Sequence, residues 1–320
     1  MLNKTPNAFA ELAAKHDLDV LCLQETKLQE QHLDDPKLKI RETMALTGYD
    51  DYWTCSTAKK GYAGTAVFVR RRNAGDKAKK GAKQTTLTKF LGGAKEKDAS
   101  TNLSNAKDET LNIEANMLVP QKISYTMGKE THDVEGRIVM LDYPLFSLCN
   151  VYTPNSGQTL GRLSYRTDEW DKDFLAFMQQ RQKERGVPVL WLGDLNVAHT
   201  NLEVWNDGAK HLPKQAGVTP EERASFQAQL DAGFVDAFRY LHPTAAGHYS
   251  YWSTRAGNRA PNKGLRLDYF ICDPALFEES SQVVVRDSYM DYDQEGSDHC
   301  PVILELEIKK KGRQSESNEI

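Results

Sequence analysis

Trp191-Leu-Gly-Asp-Leu-Asn-Val-Ala-His199 decides how this chain is read. Val189-Leu-Trp-Leu192 predicts a buried strand that runs into a polar cluster. Gly193 allows a tight turn, after which Asp194 and Asn196, two residues apart, point the same way. A carboxylate and an amide at the end of an apolar strand are costly to bury unless they have a task. Two further stretches have the same form. Val20-Leu-Cys-Leu-Gln-Glu-Thr26 is an apolar run ending in Glu25, and Gly296-Ser-Asp-His-Cys-Pro-Val302 sets an Asp-His pair before a last apolar run. Together they predict one active site, assembled at one edge of a sheet.

At 320 residues the chain is long enough to bury a sizeable core. Its net charge of −4 excludes wholesale coating of nucleic acid by a basic surface, but leaves room for a local basic groove. Five scattered cysteines without CxxC spacing imply neither a disulfide framework nor a zinc site, and so a reducing compartment. No run approaches the ~18 apolar residues of a membrane span, and the first twenty residues lack the pattern of a signal peptide.

Phe9, Leu12 and Ala13 predict a helix over 7–16, followed by a strand at 18–24. Further strands are expected at 64–70, 137–141, 145–152, 187–192, 248–252, 265–271, 282–286 and 301–308. Helices are expected at 168–185 and from Thr219-Pro-Glu-Glu222 to about Ala232, where Gly233 stops the run. Elements mix without strict βαβ alternation, which favours α/β with two packed mixed sheets. Residues 71–118 are poor in apolar positions, and Arg70–Lys97 carries ten basic residues against two acids. They are read as a disordered basic insertion: an arm for phosphates, or a plain solvated loop. The tail 309–320 is read as disordered, leaving one domain over 1–308.

With these clusters in place, the chain resembles the exonuclease III-like apurinic/apyrimidinic (AP) endonucleases of the endonuclease/exonuclease/phosphatase group. The resemblance covers roughly residues 10–70 and 119–308. It is carried by Leu21-Cys-Leu-Gln-Glu-Thr-Lys27, Glu135-Gly-Arg137, Val151-Tyr-Thr-Pro-Asn-Ser-Gly157, Gly193-Asp-Leu-Asn-Val-Ala-His199, Gly217-Val-Thr-Pro-Glu-Glu-Arg223, Arg266-Leu-Asp-Tyr-Phe270 and Gly296-Ser-Asp-His-Cys-Pro301. It implies a DNase I-like fold, a four-layered α/β sandwich with two packed mixed sheets flanked by helices. It implies Mg²⁺-dependent hydrolysis of the phosphodiester 5′ to an abasic site in double-stranded DNA, with Mn²⁺ as the alternative ion. A 3′–5′ exonuclease or 3′-phosphodiesterase side activity, action as a monomer and a nuclear address go with it.

Residue by residue, the resemblance makes Glu25 a Mg²⁺ ligand, Asp194 the group that orients or deprotonates water, and Asn196 a holder of phosphate or water. His299 would lie on the scissile phosphate with Asp268 fixing its tautomer. Asp194, Asn196, Asp298 and His299 join Glu25 as the expected metal environment, and Tyr152 and Asn155 would meet the phosphate. Tyr251, Trp252, Leu265 and Leu267 are candidates for an apolar pocket holding an extrahelical abasic sugar. Arg255 and Gln158 stand where relatives insert side chains into the duplex, and Asn262 would cap its loop or touch phosphate. The bland readings are a surface acid for Glu25, core aromatics for Tyr152 and the pocket, and a strand acid paired with Arg266 for Asp268.

The sequence departs from the family in one respect. Relatives place a strand ending Trp-Asn-Val-Asn/Asp-Gly-Leu-Arg before the first helix, and this sequence begins at Met1 just after it. The expectation is a sheet short of an inner strand, with an unpaired backbone edge, lower stability and weaker Mg²⁺ binding. An organellar leader could then lie upstream. The competing functions are a catalytically impaired DNA-binding relative and a phosphatase of the same fold.

Overall fold

The computed structural model describes residues 8–37, 46–72 and 117–309. Its strands in chain order are β1 (Val20–Gln24), β2 (Tyr49–Thr54), β3 (Thr65–Arg70), β4 (Lys122–Ser124), β5 (Ile138–Asp142), β6 (Ser147–Val151), β7 (Val189–Asp194), β8 (Val235–Asp236), β9 (Asp268–Cys272), β10 (Val283–Met290) and β11 (Val302–Ile308). The helices are α1 (Ala8–Lys15), α2 (Glu30–Leu33), α3 (Glu130–Asp133), α4 (Asp171–Arg185), α5 (Pro220–Asp231) and α6 (Ala237–Leu241).

β5 and β6 are buried at every position, which requires a sheet covered on both faces. They lie in a six-stranded sheet of order β4-β5-β6-β7-β9-β8, where β6 and β7 run parallel and the other pairs antiparallel. Side-chain alternation divides the core. Ile138, Met140, Val189 and Trp191 face Phe174, Met178 and Phe226 of α4 and α5. Val139, Leu141, Leu190 and Leu192 face Val67 and Val69 of β3 and Val283 and Val285 of β10. On the outer face of β1 and β3, Leu21, Ala66 and Phe68 pack on Leu12 and Ala13 of α1. The result is helix, sheet, sheet, helix: the four-layered sandwich expected from the sequence. The second sheet layer is in two pieces, β1-β3-β2 and β10-β11, and among the described residues β1 and β11 each pair on one side only.

Several details differ from the sequence reading. Residues 248–252 form no strand, because the amides of Ser250 and Tyr251 both donate to the Leu265 carbonyl and Tyr251 makes only isolated bridges. The helix expected from 168 is entered through a π-helical turn, Tyr165–Trp170. β2 was not foreseen, since Tyr49-Asp-Asp-Tyr-Trp-Thr54 has no clean alternation and lies at a sheet edge. β4, the two-residue β8 and the short α6 carry too few residues for a period to show. Thr219 caps α5 as expected, accepting from Glu222 N (3.2 Å) while Glu222 accepts from Thr219 N (3.2 Å). Of the basic insertion, residues 73–116 lie outside the described residues, as do 310–320 of the tail. Among the described residues no helix is long and apolar enough to cross a membrane.

Candidate active site

Gly193 is where the site begins. Its φ is +139°, and a Cβ there would stand 2.0 Å from the Val151 carbonyl oxygen of β6. Only glycine lets β7 pass that close to its parallel neighbour. Asp194 closes β7 directly opposite Asp268, which opens β9. Asp194 is buried, and its Oδ1 accepts from the Asn196 amide at 2.9 Å. Asn196 takes a left-handed φ of +49°, a region asparagine enters more readily than most residues. Its Nδ2 donates to the Thr153 carbonyl (2.9 Å), and its Oδ1 accepts from Asn155 Nδ2 (2.7 Å). Asn196 thus sits in the turn after β7, tied to the loop that follows β6.

The second arm comes from β9 and the segment before β11. The Ser250 hydroxyl accepts from Leu267 N (2.9 Å) and Asp268 N (3.0 Å), fixing the start of β9. Asp268 Oδ2 lies 2.7 Å from His299 Nδ1, so Nδ1 carries the donated proton and Nε2 is turned elsewhere. Arg266 pairs with Glu203 (2.8 Å) and Asp236 (2.6 Å), which rejects the reading of Asp268 as its partner. Burial alone would lower the His299 imidazole, but the adjoining Asp268 carboxylate outweighs it, with Asp194 and Asp298 adding, and raises it to about 10. Burial raises the Asp194 carboxyl to about 7; His299 and the Asn196 amide oppose this, while Asp268 and Glu25 add to it. The centre therefore carries more negative than positive charge, around a buried carboxylate that is destabilised in its charged form.

The third arm is Tyr152 with Glu25. Burial, then Asp194 and Glu25, push the Tyr152 hydroxyl well above its usual range, so it remains a protonated donor at neutral pH. Arg137 lies beneath it, its guanidinium carbon 4.8 Å from the ring centroid and Nη1 donating to the Tyr152 carbonyl at 2.8 Å. Glu25 is exposed, takes a left-handed φ of +54° just past β1, and pairs with Lys27 at 3.0 Å. Gln24 Nε2 donates to Asn150 Oδ1 (2.7 Å), and Asn150 Nδ2 donates to the Leu23 and Ala66 carbonyls. That contact ties β1, and with it Glu25, to the six-stranded sheet.

The expected pocket is split. Tyr251 packs with Leu265 and Leu267, and its ring lies 5.0 Å from that of His299. Trp252 is turned the other way, 2% exposed among Phe238, Tyr249, Met290 and Cys300. Adjacent residues of extended backbone point to opposite sides, so Tyr251 and Trp252 cannot line one face. Asn262 braces its loop, accepting from Trp252 Nε1 (3.0 Å) and donating to the Gly247 carbonyl (3.0 Å). Arg255, Gln158, Asn155 and Asp298 are exposed. Among the described residues no three His, Cys, Asp or Glu side chains converge as a metal-holding group, so Glu25, Asp194, Asp298 and His299 are not gathered into a protein cage. The donor chemistry still fits a hard cation, because Mg²⁺ takes one or two carboxylates and completes its shell with water and substrate phosphate. Glu25, exposed to solvent, is such a carboxylate, while Asp194 is buried and raised mainly by that burial.

Residues 1–299 match the model of the Endonuclease/Exonuclease/phosphatase family. The chain belongs to this family. It is 33% identical over 300 residues to an exodeoxyribonuclease of Bacillus subtilis, covering 94% of this chain and 92% of that protein. It is 34% identical over 298 residues to the DNA repair nuclease APEX1 of Danio rerio, covering 92% and 75%. A solved AP endonuclease, LMAP from Leishmania major, superimposes with a TM-score of 0.73 at 26% identity, covering 97% of this chain and 84% of that one. The family's members are metal-dependent phosphodiesterases, and the chain is an enzyme of that class. Sequence reasoning did not single out Gln24, Asn150, Ser250 or Arg166 as site residues. Asn150, Ser250 and Arg166 bond to backbone groups of distant segments and Gln24 to the Asn150 side chain, contacts that leave no local motif.

Proposed function

We propose that the chain is a divalent-metal-dependent AP endonuclease that cleaves 5′ to abasic sites in double-stranded DNA, with 3′-end processing as a side activity. The observation that supports this best is the juxtaposition of a charged His299–Asp268 pair with the buried Asp194–Asn196 turn. The names of relatives point the same way, one an exodeoxyribonuclease and others AP endonucleases. The imidazolium form of His299 has Nε2–H to donate to a phosphate oxygen. Asp194, raised towards neutrality, is suited to accept the proton of an attacking water. Asn196 keeps one amide hydrogen beyond the bond to Thr153, and the Tyr152 hydroxyl stays protonated beside Glu25; both would face the same phosphate. Water's oxygen bonds to phosphorus, the P–O3′ bond breaks, and the departing oxygen gains a proton. Mg²⁺, held by Glu25, would supply charge neutralisation on the phosphate. Tyr251 and Leu265, beside His299, are the residues placed to receive the abasic sugar. Action as a monomer and a nuclear address belong to this reading.

The test is incision of an end-labelled duplex carrying one abasic analogue, with Mg²⁺ and with EDTA, beside His299→Ala. Mg²⁺-dependent incision 5′ to the lesion that His299→Ala abolishes is the expected result. Binding without incision under all conditions would leave a DNA-binding relative instead.

A further inference from the structure

We propose that Arg166 is the positioning residue of the Asp194–Asn196 turn, its guanidinium fork fixing the turn through the carbonyls of Leu195 and Asn196; this rests on the function proposed above. Among the described residues, no neighbouring strand donates to the carbonyls of Leu195 and Asn196 as the chain leaves β7. Both are taken by one side chain. Arg166 Nη2 donates to Leu195 O at 2.5 Å and Nη1 to Asn196 O at 2.5 Å, with Arg166 only 2% exposed. On its far side Nη1 lies 3.4 Å from Glu222 Oε1, and Nε lies 3.6 Å from Asp171 Oδ2.

Glu222 is fully buried and collects two loops, the one after β6 and the one before α5. It accepts from Ser156 Oγ (2.5 Å), Gly217 N (2.6 Å) and Thr219 Oγ1 (2.9 Å). Ser156 follows Asn155, whose amide holds Asn196 Oδ1. A closed ring thus runs from the Asn196 side chain through Asn155, Ser156, Glu222 and Arg166 back to the Asn196 carbonyl. Gly217 shuts it from outside, since a Cβ there would press on Asn196 O at 3.2 Å. Arg166 itself stands on the π-helical turn, a widened turn that recurs at functional sites. A planar fork reaches two successive carbonyls at once; an ammonium offers one point of charge and cannot hold both.

Arg166→Lys keeps the charge and loses the fork. We expect it to bind an abasic duplex in EDTA with wild-type affinity, and to lose kcat by about a hundredfold with KM unchanged. Amides around the turn, Leu195 and Ala198, should exchange hydrogen faster while those inside β7 do not. Methylguanidinium should restore part of the rate to Arg166→Ala. Ser156→Ala cuts the ring at its far end with little threat to folding, and should lower kcat severalfold. Wild-type kcat and exchange in both Arg166→Lys and Ser156→Ala would overturn the proposal. So would a rate loss accompanied by uniformly faster exchange across the molecule, the mark of a merely structural role. A wild-type chain that leaves the duplex uncut would instead overturn the proposed function, and the exchange measurements would still decide whether Arg166 holds the turn.

Discussion

His299 shows how one contact sets a residue's chemistry. Its bond to Asp268 keeps the imidazole charged up to about pH 10. With the folded value raised above the ordinary ~6.5, the pair's stabilisation is fully present below about 6.5 and is lost as pH rises through about 10. Asp268→Asn should therefore drop the imidazole towards its ordinary range and pull the alkaline limb of the rate profile to lower pH. NMR titration of the His299 ring together with pH–rate profiles checks both. Gly193 makes a prediction of another kind. Gly193→Ala drives a methyl group into the Val151 carbonyl and should cost at least about 3 kcal/mol in urea denaturation, with weaker cleavage in whatever remains folded. Gly193, Asp194 and Asn196 were all legible as a motif. The reason for the glycine was not, because Val151 is distant in sequence.

Among the elements, α1 is fastened by its buried face and at its C-terminal end. Leu12 and Ala13 pack on Leu21 and Phe68, while Lys15 and His16 at its end both reach Asp291 at 2.7 Å. Burial would raise the Asp291 carboxyl, yet bonds from Lys15 and His16 hold it below the usual range. Asp291→Asn should loosen α1 by about 1 kcal/mol, seen as faster hydrogen exchange confined to residues 8–16. The α1 helix itself was readable from Phe9, Leu12 and Ala13, whose spacing is local. Its clasp was not, since Asp291 sits some 275 residues further on.

At the scale of the whole molecule, the buried group of Arg266, Arg239, Glu203 and Asp236 joins the loop after β7 to β8 and β9. Burial would raise Glu203, but Arg266, Thr200 and Arg239 outweigh it and bring it down to about 2. A depressed carboxyl contributes stability above its unfolded value of ~4.3 that is lost as pH falls towards about 2. Of order 3 kcal/mol should disappear across that window, because the side chain is only 1% exposed. Thermal unfolding followed from pH 5 to pH 2 should show this loss in the wild type and a flatter profile in Glu203→Gln.

The sequence alone determined which residues are candidates for the site: Asp194, Asn196 and His299 stand in short motifs whose residue types are costly to bury without purpose, and Glu25 ends an apolar run. It also determined the layered α/β class, because apolar strand runs such as Ile138–Leu141 mix with helical stretches without strict βαβ alternation. Only the tertiary structure decided the rest. Trp252 went to the core and Tyr251 to the site because backbone alternation, and not apolarity, chooses the face. Asp268 chose His299 over Arg266 because Glu203 and Asp236, from other segments, had already claimed the guanidinium. Arg166 became part of the site through two backbone carbonyls, groups that every residue possesses and that no sequence pattern can mark.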